Sequence, residues 1–209
     1  MDKKIIKAMY DNIVAKDQLK MVMMGVHFEE SRCYASDGHV LIIYNESQPR
    51  LKGKTVMADG TEYDGRYPNV DMVFPSSKEE CTKVKIDAEQ LKNACVWHGK
   101  KLLATNATDR VVIGGVAFNI ATFARLLKVV CMFGKEQTLK LYGRTRPAVI
   151  EGKGFKGIVM PMEYADKDVD ALSEYDDACN VYSFESFVND YVFNSWKNET
   201  PKKVMDWLD

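Results

Sequence analysis

Three amphipathic helical stripes, each followed by short strands joined through turns, limit what this 209-residue chain can fold into. Ile5, Ile6, Met9, Tyr10, Ile13 and Val14 recur at helical spacing and predict a helix over residues 2–16. A second helix is predicted over 88–97. Asp87 caps it, and Gln90 stands where a capping box places its partner. A third is predicted over 120–133, with Asn119 as cap, a stripe of Ile120, Phe123, Leu126, Leu127 and Val130, and Gly134 as its stop. Strands are predicted at 20–29, Val40–Tyr44, Leu102–Thr105, Arg110–Phe118 and near 137–143, 146–151 and 155–161. Most follow one another through turns such as Asp37-Gly38. That order predicts an α+β fold of mainly antiparallel sheets, with helices gathered on one side. Two units that each open with a helix hint at an internal repeat. The expected organisation is one lobe over 1–75, a second over 76–164 and an extension over 165–209. In the extension, Ser183 could cap a helix carrying Phe184, Phe187, Val188, Tyr191 and Val192, and Thr200-Pro201 could start a short final one.

Apolar residues make up 46 % of the chain and charged residues 28 %, enough to bury a core without disulfides. No stretch approaches the roughly 20 apolar residues that span a bilayer. Met1-Asp2-Lys3-Lys4 leads into an amphipathic segment rather than a signal core, so the cytoplasm is the expected location. Cys33, Cys81, Cys95, Cys131 and Cys179 form no CxxC pair, which argues for reduced thiols and against a metal site. Net charge is −1, yet it is unevenly spread. Residues 165–209 hold four basic and eleven acidic groups, while residues 1–164 hold 25 basic and 19 acidic. A basic body with an acidic tail suggests a polyanionic partner.

Motifs for chemistry are absent. Gly152-Lys-Gly154-Phe-Lys-Gly157 has the letters of a dinucleotide fingerprint, but a strand signal, Ile158-Val-Met160, follows where a helix is required. A β-turn is the expected use of those glycines. His27, His39 and His98 stand in no nucleophile or zinc-protease pattern. Glu29-Glu30 and Glu79-Glu80 read as solvated surface. No catalytic residue, cofactor or metal is therefore assigned, and the chain is not expected to be an enzyme.

Several segments resemble, in order, parts of the bacterial DNA sliding clamp, the β subunit of the replicative DNA polymerase III. Val22-Met-Met-Gly25-Val-His-Phe28-Glu29 and Ala35-Ser-Asp-Gly-His39-Val-Leu41 resemble consecutive pieces of the clamp's middle domain. Asp64-Gly-Arg-Tyr-Pro68-Asn-Val-Asp-Met-Val-Phe-Pro75 resembles the link to its last domain. Ala117-Phe-Asn119-Ile, with Leu126-Leu127, resembles a helix entry in that domain. Val149-Ile-Glu151 and Ile158-Val-Met-Pro161-Met162 resemble its C-terminal strands. The departures are an absent first domain, a shortened middle domain, Val40 and Glu163 where the clamps have arginine, and 47 residues beyond Met162.

The resemblance implies a DNA-clamp-like fold and two binding functions. Partner peptides of polymerases and other replication or repair proteins would lie in an inter-lobe groove at Gly38, His39, Val40, Leu41, Pro75, Val159, Met160, Pro161 and Met162. Double-stranded DNA would meet lysines and arginines on the helices, here Lys3, Lys4, Lys7, Lys92, Arg125 and Lys128, without regard to sequence. Two shortened lobes cannot encircle a duplex alone, so enclosure would require a homo-oligomer, for instance a trimer. The expected function is a processivity or scaffold factor of DNA replication. The alternative is a clamp-derived interaction module or decoy that no longer holds DNA, and an unrecognised enzyme is a distant third. The extension could cover the lysines or fill the groove.

Overall fold

A computed structural model of the protein describes residues 1–102, 110–162, 181–183, 187–189, 191 and 192. Helix α1 (Lys3–Asn12) starts where the Asp2 carboxylate accepts from the Lys4 N–H at 2.7 Å, and it buries Ile5 and Met9. Residues 18–24 form 3-10 turns, so the first five residues of the strand expected over 20–29 are not strand. The Asp17 side chain caps them by accepting from the Leu19 N–H at 2.9 Å, a local bond that competes with strand pairing. Helix α2 (Ala88–Leu102) begins as expected, with Asp87 accepting from the Gln90 N–H at 2.9 Å. It runs on through Leu102, where a strand was expected, and residues 103–105 of that strand lie outside the described residues. Helix α3 (Ile120–Val130) is capped by Asn119, which accepts from the Thr122 N–H at 2.9 Å. A 3-10 turn follows and ends at Gly134, whose φ of +127° suits glycine.

The strands are β1 (Val26–Phe28), β2 (Cys33–Ser36), β3 (Val40–Tyr44), β4 (Thr55–Val56), β5 (Glu62–Tyr63), β6 (Thr82–Asp87), β7 (Arg110–Ile113), β8 (Val116–Asn119), β9 (Glu136–Leu141), β10 (Ala148–Gly152), β11 (Phe155–Val159) and β12 (Val181–Ser183). Nine of them make one sheet in the order β5-β4-β1-β2-β3-β11-β10-β9-β6, and every pairing in it is antiparallel. The glycine-rich 152–157 segment is the β10–β11 hairpin, with Gly154 at φ +88°, and strand β11 rather than a helix follows the turn. A second sheet, β12-β7-β8, contains the one parallel pair found among the described residues, β12 with β7. The fold is therefore α+β and mainly antiparallel. Residues 1–75 supply β1–β5 and residues 76–164 supply β6–β11. The nine-stranded sheet crosses that boundary at the β3–β11 seam, where Val40 to Tyr44 pair with Val159 to Phe155.

Strand β3 is buried on both faces, and its alternation assigns a side to each residue. Val40, Ile42 and Tyr44 pack with the helices. Leu41 and Ile43 pack on the opposite face with Tyr34, Tyr67, Val70, Val149 and Ile158. Helix α3 contacts both α1 and α2 and buries Ile120, Phe123, Leu126, Leu127 and Val130 against the sheet. The far face is covered by the chain around Tyr67–Phe74, pinned where the Arg32 guanidinium grips both oxygens of Asp71 at 2.8 and 2.7 Å. In the extension, Ser183 ends a strand instead of capping a helix, and residues 187–189, 191 and 192 are helical. The final helix expected after Thr200 lies outside the described residues. Among the described residues no helix is long and apolar enough to cross a membrane.

Candidate peptide groove and candidate nucleic-acid face

The turn between β2 and β3 is tightly held. Asp37 Oδ1 accepts from the His39 and Val40 N–H groups at 2.8 and 3.0 Å. Ser36 Oγ donates to the Val40 carbonyl at 2.8 Å and accepts from the Gly38 N–H at 3.1 Å. Gly38 sits at φ +94°, a conformation that glycine reaches without strain. The Tyr67 hydroxyl accepts from the Ser36 N–H at 2.9 Å, and Lys20 Nζ donates to the Asp37 carbonyl at 2.8 Å. Arg125 Nη2 reaches Asp37 Oδ2 at 2.5 Å. Burial works against the Asp37 charge, but the two amide N–H groups and the Arg125 guanidinium hold its carboxyl below the usual carboxylate range.

Beside this turn the far face of the sheet carries a hollow of about 110 Å³. Gly38, His39, Leu41, Ile158 and Met160 form one wall, and Tyr67, Pro68, Asn69, Val70, Val73 and Met23 form the other. The β3–β11 seam makes the wall continuous, because the Met160 N–H donates to the His39 carbonyl at 2.9 Å. Val40 borders the hollow, although it belongs to the core beneath the helices. The turn and the closing strand, far apart in sequence, thus meet.

The remaining groove residues go elsewhere. Val159 is fully buried in the helix-side core, and Met162 bridges Ala117 of β8. Pro161 does not line the hollow. Pro75 lines a separate cavity of about 570 Å³, with Glu79, Cys81, Lys140 and Tyr142. The second wall, Tyr67 to Val73, was not assigned from sequence. Its signal was the apolar Tyr67, Val70 and Val73 within the connector, whose path over the sheet no local pattern discloses.

The six cationic positions separate as sharply. Lys3, Lys4 and Lys7 are exposed on α1, Lys128 is exposed on α3, and Lys92 is partly covered on α2. Lys7 pairs with Asp11 at 2.7 Å. Arg125 is spent on Asp37, with 29 % of its side chain exposed, and points its charge into the turn. Lys3, Lys4 and Lys128 form no ion pair among the described residues. Buried thiols Cys33 and Cys95 are free, and burial pushes the Cys33 thiol up to about 12, which leaves it unreactive. Among the described residues no cluster of ligating side chains could hold a metal ion.

Helices on one face of a continuous antiparallel sheet, and a hollow at the turn–strand junction on the other, define a DNA-clamp-like fold. Solved bacterial clamps share it. The sliding clamp of Bacillus subtilis superposes with a TM-score of 0.57 at 13 % identity, over 78 % of this chain and 63 % of that one. The β subunit of Streptococcus pyogenes gives 0.60 at 11 % identity, over 78 % and 65 %. The Helicobacter pylori clamp bound to a DNA ligase peptide gives 0.55 at 12 % identity, over 76 % and 62 %. This chain thus spans less than two thirds of the clamps it resembles. No protein-family model and no curated protein matches the sequence.

Proposed function

We propose that this chain is a non-catalytic, clamp-like scaffold of DNA replication that holds partner peptides in the Gly38–Met160 hollow and DNA against its helix-face lysines. The observation that carries the reading is the seam itself. It brings the Asp37-Gly38-His39 turn and the Ile158–Met160 strand together on the face away from the helices. An apolar hollow with methionines at its edge suits short segments of varied sequence. The H. pylori clamp carries a DNA ligase peptide, and a peptide of that kind is the natural probe.

Binding of the labelled ligase peptide is followed by fluorescence anisotropy. Val73→Glu and Met160→Glu place charge on opposite walls, at side chains that are not fully buried. Each is expected to weaken the peptide at least about tenfold, in line with desolvating a carboxylate against apolar groups. Equal binding by wild type and both variants would sink the groove reading.

For DNA, Lys3→Glu/Lys4→Glu/Lys128→Glu is expected to weaken a short duplex severely at low salt. The slope of log K against log salt should become less steep by about three, roughly one unit for each phosphate no longer neutralised. A specific observation favours the alternative of a clamp-derived interaction module. Two of the six candidate cations, Lys7 and Arg125, already hold carboxylates within the chain. Peptide binding with no duplex affinity at low salt would select that alternative.

A further inference from the structure

Arg125 stands where the two candidate faces touch. On α3, Ala121, Arg125 and Lys128 fall at intervals of four and three and make the solvent-facing stripe, with Phe123, Ala124, Leu126 and Leu127 buried to either side. Lys128 keeps its charge in solvent. Arg125 instead turns its guanidinium to the β2–β3 turn, where Nη2 meets Asp37 Oδ2. One side chain thus ties the helix face to the turn whose Gly38 and His39 wall the hollow.

The two oxygens of Asp37 do different work. Oδ1 holds the His39 and Val40 N–H groups, and Lys20 Nζ holds the Asp37 carbonyl, all without help from α3. Oδ2 relies on Arg125 alone among the described residues. The Asp37 side chain is 12 % exposed, so water is a poor substitute for the guanidinium. A phosphate that draws on Arg125 from the helix face competes with this carboxylate, and the two anions repel across the cation they share. The turn stays closed with the guanidinium in place and relaxes toward water without it. Those are two discrete arrangements, and ligands on opposite faces of the sheet bias them in opposite directions.

We propose that the Arg125–Asp37 pair sets duplex on the helix face against peptide in the hollow, so that each ligand weakens the other by the same factor. The inference rests on the scaffold reading and adds its regulation: a chain loaded on duplex releases its peptide partner more readily. Coupling between two sites is typically worth about fivefold or more. The supports at Oδ1 and Lys20 remain when Arg125 is drawn away, which keeps the effect at the low end.

The test titrates the labelled ligase peptide into the full-length protein at low salt, alone and with a saturating short duplex. The converse titration follows the duplex with and without saturating peptide. Wild type is expected to lose affinity about fivefold in each direction. Arg125→Gln keeps an amide donor toward Asp37 but offers phosphate no charge, and its peptide affinity is expected to be the same with and without duplex. Plain repulsion between two charged ligands would survive that substitution, so the variant separates the pair from a general field. Lys128→Gln is expected to weaken the duplex and yet keep the linkage once duplex is saturating. Should Arg125→Gln not fold, Asp37→Asn supplies the reading. It keeps Oδ1 as an acceptor, frees the guanidinium, and is expected to bind duplex more tightly and show no linkage. Wild type that binds no peptide or no duplex would end the scaffold reading and this inference with it. Binding of both without linkage, linkage of the opposite sign, or linkage that persists in Arg125→Gln would overturn the inference alone. So would failure of both variants to fold, because the pair would then be a fixed prop and not a switch.

Discussion

Replacing Asp37 by alanine is expected to lower the free energy of unfolding by about 3 kcal/mol and to abolish peptide binding in the hollow. The carboxylate is the hub of the β2–β3 turn. It accepts from two backbone N–H groups at 2.8 and 3.0 Å and from Arg125 at 2.5 Å. Its removal leaves a partly buried guanidinium without a counter-charge and two N–H groups without acceptors. Breaking a fully buried pair costs about 3–5 kcal/mol. The Asp37 side chain is 12 % exposed and that of Arg125 is 29 %, so the low end applies. Arg125→Ala should cost less, about 1–2 kcal/mol, because the carboxylate keeps its two amide donors. Urea unfolding of both single variants and the double variant would give the coupling; a coupling near zero would remove Arg125 from the account.

The same pair makes a prediction about pH. The folded carboxyl is held below its ordinary value of 3.8. Its contribution is therefore fully present above that value and is lost as pH falls through the depressed folded value. The stability gap between wild type and Asp37→Ala should be flat from neutrality down to about pH 4 and shrink below it. A gap that closed near pH 6 would implicate a histidine instead.

The second large effect lies where α3 meets the seam. Leu126 is fully buried, and its Cδ1 would lie 3.2 Å from a Cβ added at Gly157 of β11. Leu126→Ala is expected to cost about 3 kcal/mol, the transfer term plus the cavity left under a rigid sheet. Gly157→Ala alone crowds both Leu126 and Ile42, whose Cδ1 is 3.3 Å away. With Leu126 already shortened, the added methyl enters vacated space. The double variant should therefore be more stable than the sum of the two single losses by about 1 kcal/mol. Strict additivity would mean that the two sites do not touch.

These two sites show which parts of the fold were legible in sequence. The caps at Asp87 and Asn119 were readable because each bond closes within three residues. The α+β order followed from helical stripes separated by consecutive strands. The Met-rich segment after Asp17 was misread as a strand, since apolar content says nothing about a cap that diverts the backbone into 3-10 turns. At the candidate site, Gly38, His39, Leu41 and Met160 were assigned through resemblance, and they line one hollow. Arg125 was assigned to DNA because a basic residue on a helix reads as surface. Its partner stands 88 positions away, and no local pattern records that. Pro75 was misplaced for a related reason, since a connector's composition does not trace its course.

The β3–β11 seam is a five-rung antiparallel ladder with close-packed side chains on both faces. A joint of that kind does not flex as a hinge, because bending it would break main-chain hydrogen bonds and open two cores at once. The two halves of the body must move as a single plank. If copies of this chain ever enclose something, the curvature has to come from the angles at which separate molecules meet.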